Sequence, residues 1–141
     1  MWPTTFEARL QAWQALRHRV GDLPRTECLE QLNQWWFTAP WCGYHLHWDD
    51  QATWPDPWQL LQDNIFCSLA RGLGILYTIS LLNRADIQTA ELVEAQNDNL
   101  VLIDSGKYVL NWDATRIVNI NPGATNPRHR VQQSSINHKI L

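Results

Sequence analysis

Cys67 is the residue of this sequence whose type and position best suit covalent chemistry. It follows the proline-started segment Pro57-Trp58-Gln59-Leu60-Leu61, which predicts a short helix, and it precedes Leu69-Ala70-Arg71, which predicts a second one. Unpaired amides and the dipole at a helix N-terminus favour a thiolate, so a cysteine there can attack a carbonyl if a base takes its proton. In the alternative interpretation Cys67 is a small buried hydrophobic residue.

Two histidines could supply chemistry of their own. His45 and His47 lie in Tyr44-His45-Leu46-His47-Trp48-Asp49-Asp50, and a His-x-His spacing points both imidazoles to one side of a strand. A metal site needs further ligands at defined spacing, which the sequence lacks, so we predict no metal and no cofactor. The segment then forms a polar loop edge among tryptophans. Either imidazole could still reach Cys67 in space and act as its base.

The elements around Cys67 predict an α+β fold, because helical patterns come first and strand patterns follow. Residues 5–20 read as an amphipathic helix capped by Thr4 and Glu7, and a second helix begins at Asp22 or Pro24 and stops at Pro40. Gly72 and Gly74 are expected to end the helix that Cys67 begins. The predicted strands, which include a hairpin around Asp104-Ser105-Gly106-Lys107, are residues 75–82, 87–95, 100–103, 108–112 and 116–120.

The composition changes after Ile120. We predict one α+β domain over residues 1–120, with N-terminal helices and a small antiparallel sheet, and a polar C-terminal tail or arm over residues 121–141. The tail has few apolar side chains apart from its end, Ile140-Leu141, so we expect it to be ordered only where it docks onto a partner or another subunit.

Composition excludes some function classes. The chain has 141 residues, 45% of them apolar, which is typical of a globular domain, and its formal net charge of −3 does not favour nucleic acid as a partner. It has no apolar stretch long enough to span a membrane and no basic region followed by an apolar run at its N-terminus. The irregular spacing of Cys28, Cys42 and Cys67 suits a reducing compartment and predicts a cytoplasmic protein.

Tryptophan is unusually frequent. The chain contains nine, and all except Trp112 precede residue 59. We expect these rings to form an aromatic core, in which Trp13, Trp36 and Trp58 join the N-terminal helices to the helix that carries Cys67. The alternative is an exposed aromatic platform for a sugar or a protein partner.

The order of motifs over residues 54–113 resembles the transglutaminase-like branch of the papain-like cysteine fold. Members have a short proline-bearing helix, a nucleophilic Cys, an Ala/Leu-rich helix and a Gly-Ile step, which correspond here to the segments around Pro57, Cys67 and Leu73-Gly74-Ile75. The resemblance implies a Cys-His-Asp site in which Cys67 is the nucleophile and Asp113 the acidic member.

The resemblance fails at the histidine. The position that the family's base would occupy falls near Asn99, and an amide cannot accept a proton near neutral pH. This favours a protein that is not an enzyme, although a substitute base from His45 or His47 stays open. For Asp113 the alternative is a turn residue that accepts backbone amides.

Three functions are therefore open. The leading prediction is a non-catalytic binding or assembly module on a degenerate transglutaminase-like core, with a protein partner or self-association. The first alternative is a cysteine-dependent amide-bond hydrolase or transamidase that uses Cys67, and the second is an aromatic carbohydrate-binding module. The segment Trp54-Pro55-Asp56-Pro57-Trp58 together with the Cys67 stretch is also similar to small proteins of viruses that infect cyanobacteria. That similarity implies a phage protein, in the host cytoplasm or the virion.

Overall fold

The first half of the chain is helical and the sheet follows it. The structure is a computed structural model that describes residues 2–95, 97–117 and 127–140. Its α-helices are α1 (Phe6–Gly21), α2 (Arg25–Phe37), α3 (Pro57–Asp63), α4 (Ser68–Leu82) and α5 (Gln133–Ile136), with 3-10 turns at Trp48–Thr53 and Asn137–Lys139. The strands are β1 (Ala90–Ala95), β2 (Asp98–Ile103), β3 (Tyr108–Leu110) and β4 (His129–Gln132). They pair antiparallel in the order β3-β2-β1-β4, so the α+β prediction is confirmed.

Helix α4 is the centre of the molecule, and it corrects the sequence prediction most strongly. Residues 75–82, predicted to be a strand, continue the helix through Gly72 and Gly74. Nearly every residue from Leu69 to Ile79 is buried. A short apolar run that is buried on all sides has no periodicity that distinguishes a helix from a strand, and here tertiary packing overrides β-propensity.

The two glycines of α4 let neighbouring elements approach closely rather than end the helix. A Cβ at Gly74 would lie 2.5 Å from the Trp36 ring, and a Cβ at Gly72 would lie 2.7 Å from Leu92 Cδ1. Both distances are too short for real atoms. Helix α4 is therefore held tightly between α2 on one side and β1 on the other.

The aromatic core is built around one threonine of α4. The indole Nε1–H groups of Trp13 and Trp36 both donate to Thr78 Oγ1, at 2.9 and 3.0 Å, and the Thr78 hydroxyl donates to the Gly74 carbonyl at 2.8 Å. Both rings are 1% exposed, as predicted. The prediction for Trp58 is wrong, because α3 buries Pro57, Leu60 and Leu61 and its opposite face carries Trp58 into solvent.

The helix starts and the β2–β3 hairpin follow local sequence signals, with small shifts. The cap of α1 is Thr5, which accepts from the Ala8 amide at 3.1 Å, one residue after the predicted capping pair. The hairpin is confirmed, and its turn places Asp104, Ser105 and Gly106 at positive φ. Ile117 lies outside the strands but its carbonyl accepts from the Val109 amide. Residues 118–120 of the last predicted strand lie outside the described residues.

The C-terminal segment is part of the sheet. Strand β4 pairs with β1 in the register Glu91–Gln132 to Glu94–His129, and Val131 and Ile136 are buried in the core. The expectation that this segment is an arm needing a partner is therefore wrong for residues 129–136. The composition of the segment did not predict this strand. Strand β4 is stabilised by backbone pairing with the edge of β1 and not by its own few apolar side chains. Residues 121–126 and 141 lie outside the described residues.

Candidate binding cleft

A cleft of about 590 Å³ lies where the N-terminus of α4 meets the start of β2 and the loop before the first 3-10 turn. This volume is within the range typical of small-ligand sites. The residues that line it are Trp41, Gly43, Tyr44, Leu46, Trp48, Cys67, Ser68, Leu69, Arg71, Glu94, Asn97, Asp98, Asn99, Asn111, Trp112 and Arg128. Apolar rings, amides, a thiol and both signs of charge therefore face one space.

Cys67 lies at the helix start that the sequence predicts. It is the N-cap of α4, it lines the cleft, and it is 3% exposed. Its Sγ accepts a hydrogen bond from the Ala70 amide at 3.4 Å, so the thiol performs the role that a Ser or Asp side chain usually has at an N-cap. Within the described residues, Cys67 Sγ makes no other hydrogen bond.

The two candidate substitute bases lie elsewhere. His45 and His47 are both exposed, and within the described residues neither lines the cleft or hydrogen-bonds to Cys67. The His47 ring packs edge-on against Tyr44 at 4.7 Å, and its carbonyl accepts from Trp54 Nε1. The hydrogen bonds of the described residues therefore give the Cys67 thiol no imidazole partner.

Asn99, near which the resemblance predicts a histidine, lines the cleft at the start of β2. Its Oδ1 accepts the indole N–H of Trp48 at 2.8 Å. Trp48 in turn stacks on His129 with ring centroids 5.3 Å apart and an angle of 10°. His129 was not among the sequence candidates, and its Nε2 lies 3.7 Å from Glu94 Oε1.

Asn111 is a cleft residue that the sequence did not single out. Its Nδ2 donates to the carbonyls of Ser68 (2.9 Å) and Asn99 (2.7 Å), and its Oδ1 accepts from Arg71 Nε at 2.6 Å. Its own amide donates to Asn33 Oδ1. The Asn111 side chain therefore joins α4 to β2, and its backbone N–H adds a contact with α2. The available signal was an asparagine directly after a strand, where its φ of 67° is tolerated.

Asp113 accepts hydrogen bonds from the backbone of the turn that follows it. Within the described residues it does not line the cleft, and its Oδ1 accepts from the Thr115 amide at 2.8 Å and from the Arg116 amide at 3.2 Å. Its pKa lies below the usual value, mainly because of the Thr115 backbone hydrogen bond. This is the geometry of a turn residue, the alternative that the sequence left open.

Not every charged side chain of the cleft has an ion-pair partner within the described residues. Glu94 pairs with Arg128 at 3.4 Å, and Asp98 is exposed. Arg71 donates its Nε–H to Asn111 and its Cζ lies 3.8 Å from the centroid of the Phe37 ring. Burial lowers the Arg71 pKa. Within the described residues its two Nη atoms have no hydrogen bond or ion pair.

Three aromatic side chains form the rim of the cleft. Trp41 is 65% exposed, Tyr44 is 74% exposed and Trp112 is 39% exposed, and all three line the cavity. Large apolar rings gathered around one polar cavity are typical of a binding surface.

The described residues show neither a cluster of His, Cys, Asp and Glu side chains that could hold a metal ion nor a helix with the length and apolar character needed to cross a membrane. Comparisons of the chain with models of known protein families, with curated proteins and with solved structures gave no match. The cleft is therefore interpreted from its own geometry.

Proposed function

We propose that this protein is a non-catalytic binding module and that the cleft at the start of α4 is its binding site for a protein partner. The observation that carries the proposal is that, within the described residues, the Cys67 thiol has its hydrogen bond to the Ala70 amide and none to an imidazole or a carboxylate, while the cleft residue Asn99 is an amide that accepts from the Trp48 indole. An amide cannot take a proton from Cys67 near neutral pH.

The surrounding contacts support the same proposal. The Cys67 thiol accepts a hydrogen bond from its own helix, and Asn111 uses both of its polar atoms to hold the walls of the cleft together. These groups stabilise the shape of a pocket. The exposed rings of Trp41, Tyr44 and Trp112 offer contact area to a ligand at the entrance.

A second candidate, a cysteine-dependent amide-bond hydrolase or transamidase, is favoured by one observation. Cys67 lines the cleft at a helix N-terminus, where an attacking thiolate and an acyl intermediate would both find room. In this candidate the base would come from outside the Asn99 position. The two candidates differ in whether a bound amide is recovered unchanged.

Binding is tested by selecting ligands from a displayed random-peptide library and measuring their affinity for matched variants. Trp112→Ala removes a ring that lines the cleft, whereas Trp58→Ala removes a ring of similar exposure, 42% against 39%, that is not among the cleft-lining residues. We expect Trp112→Ala to weaken binding by about tenfold or more and Trp58→Ala by less than about twofold.

Two results would contradict the proposal. Selected peptides that bind Trp112→Ala as tightly as the wild type would place the binding surface elsewhere. Binding to immobilised oligosaccharides with no peptide selected would replace the proposal with the carbohydrate-binding alternative. The transglutaminase-like resemblance, the viral origin and an assembly role stay predictions that support, but do not carry, the proposal.

A further inference from the structure

Arg71 is the cationic side chain of the cleft that lacks a counter-ion. Within the described residues, Arg128 pairs with Glu94, whereas the Nη atoms of Arg71 have neither a carboxylate nor a carbonyl. Another internal arginine, Arg9, which is 5% exposed, donates to the carbonyls of Leu61 and Pro3 instead. Arg71 is therefore a partly desolvated guanidinium whose two Nη groups make no hydrogen bond within the described residues.

The position of the Arg71 guanidinium is fixed before any ligand arrives. Its Nε–H is held by Asn111 Oδ1 at 2.6 Å, and the Phe37 ring lies beneath it at 3.8 Å. A guanidinium held through Nε and stacked on one face presents its two Nη groups in the geometry that binds a carboxylate with two parallel hydrogen bonds. Little side-chain entropy remains to be lost on binding.

We propose that Arg71 recognises a carboxylate, and that the ligand of the cleft is a peptide that places a C-terminal or side-chain carboxylate on the Nη groups of Arg71. This inference rests on the proposed binding function. The cleft has two carboxylates of its own, Glu94 and Asp98. They would repel a phosphate dianion more strongly than a ligand carboxylate, which carries a single charge, so the carboxylate is favoured. Trp112 and Trp41 then contact the apolar part of the peptide.

The test uses a pair of probes that differ only in charge, N-acetyl-phenylalanine and its neutral amide, titrated into the full chain at constant ionic strength. Two-dimensional NMR follows the Arg71 Nε–H and the Trp112 indole N–H. We expect the acid to bind about tenfold more tightly than the amide, since a charge-assisted bidentate contact is lost in the amide. Inorganic phosphate should bind more weakly than the acid.

Variants then assign the preference to one residue. Arg71→Gln should remove the preference for the acid, Arg71→Lys should keep only part of it, and Arg130→Gln, which changes an exposed arginine that pairs with Glu91 and does not line the cleft, should keep all of it. If Arg71→Gln does not fold, two measurements on the wild type still show whether Arg71 recognises the carboxylate. They are the shift of the Arg71 Nε–H resonance on titration and the ratio of acid to amide affinity.

The inference is overturned if the acid and the amide bind equally, if neither shifts the cleft resonances, if phosphate binds more tightly than the acid, or if Arg71→Gln keeps the preference. Its failure can be told apart from failure of the proposed function. Equal binding of acid and amide in the cleft would leave a binding module without a carboxylate site. Acylation of Cys67 by a bound amide would end the non-catalytic proposal and leave the preference for the acid intact.

Discussion

At the scale of single residues, the molecule uses polar side chains as joints between elements. Asn111 joins three elements at the cleft, and Thr78 joins two tryptophans in the core. Neither role is visible in the sequence, because one asparagine or threonine looks like any other until its partners are known. The residue that the sequence did identify, Cys67, owes its detection to the local signal of a helix start.

The first prediction concerns Thr78. Replacement by valine keeps the shape but leaves the buried indole N–H groups of Trp13 and Trp36 without an acceptor, so Thr78→Val should lower the free energy of unfolding by about 2 to 4 kcal/mol. Thr78→Ser keeps the hydroxyl and is the matched control. Chemical denaturation measures both. Equal midpoints for the two variants would show that the indole bonds contribute nothing to stability.

At the scale of elements, the boundaries of α1 and α2 and the β2–β3 hairpin were predictable because caps, prolines and turn residues act locally. Helix α4 was not fully predictable. Its start at Cys67 follows a local signal, but its continuation through Gly72 and Gly74 depends on Leu92 and Trp36, which are distant in sequence. The same holds for β4, which is a strand because β1 offers it an edge.

The second prediction compares glycines. Gly74→Ala should destabilise the fold by about 1 to 3 kcal/mol, because the new methyl group would lie 2.5 Å from the rigidly held Trp36 ring. Gly21→Ala is the control, since a Cβ there meets nothing within 4 Å, and it should leave stability unchanged or raise it by less than about 1 kcal/mol. Thermal melting of both variants tests the comparison. A Gly74→Ala protein as stable as the wild type would contradict the close approach of α2 and α4.

At the scale of the whole molecule, the C-terminal segment completes the sheet and helps to close the cleft. Strand β4 carries His129, which stacks on Trp48, and it follows Arg128, which lines the cleft. The composition of this segment led to the expectation that it is ordered only where it docks onto a partner or another subunit, and a segment of that kind could be deleted with no change in the melting midpoint. Its pairing with β1 gives the opposite expectation.

The third prediction tests that reversal. Val131→Ala removes two methyl groups from a side chain that is 6% exposed, so it should cost about 2 kcal/mol, whereas Arg130→Ala on the exposed side of the same strand should cost less than about 1 kcal/mol. Deleting residues 127–141 should lower the melting midpoint or abolish cooperative melting. A truncated protein that melts like the full chain would show that the segment is a separate arm and not part of the folded core.

The central claim, that the cleft binds without reacting, is tested most directly by the mass of both components after they have been together. A peptide selected for binding to the cleft is incubated with the wild type, with Cys67→Ser and with Cys42→Ser as the matched thiol control, and the intact masses of peptide and protein are measured over time. The account predicts that the peptide is recovered whole and that each protein keeps its mass. A shortened peptide, or an acyl adduct that forms on the wild type and on Cys42→Ser but not on Cys67→Ser, would contradict it.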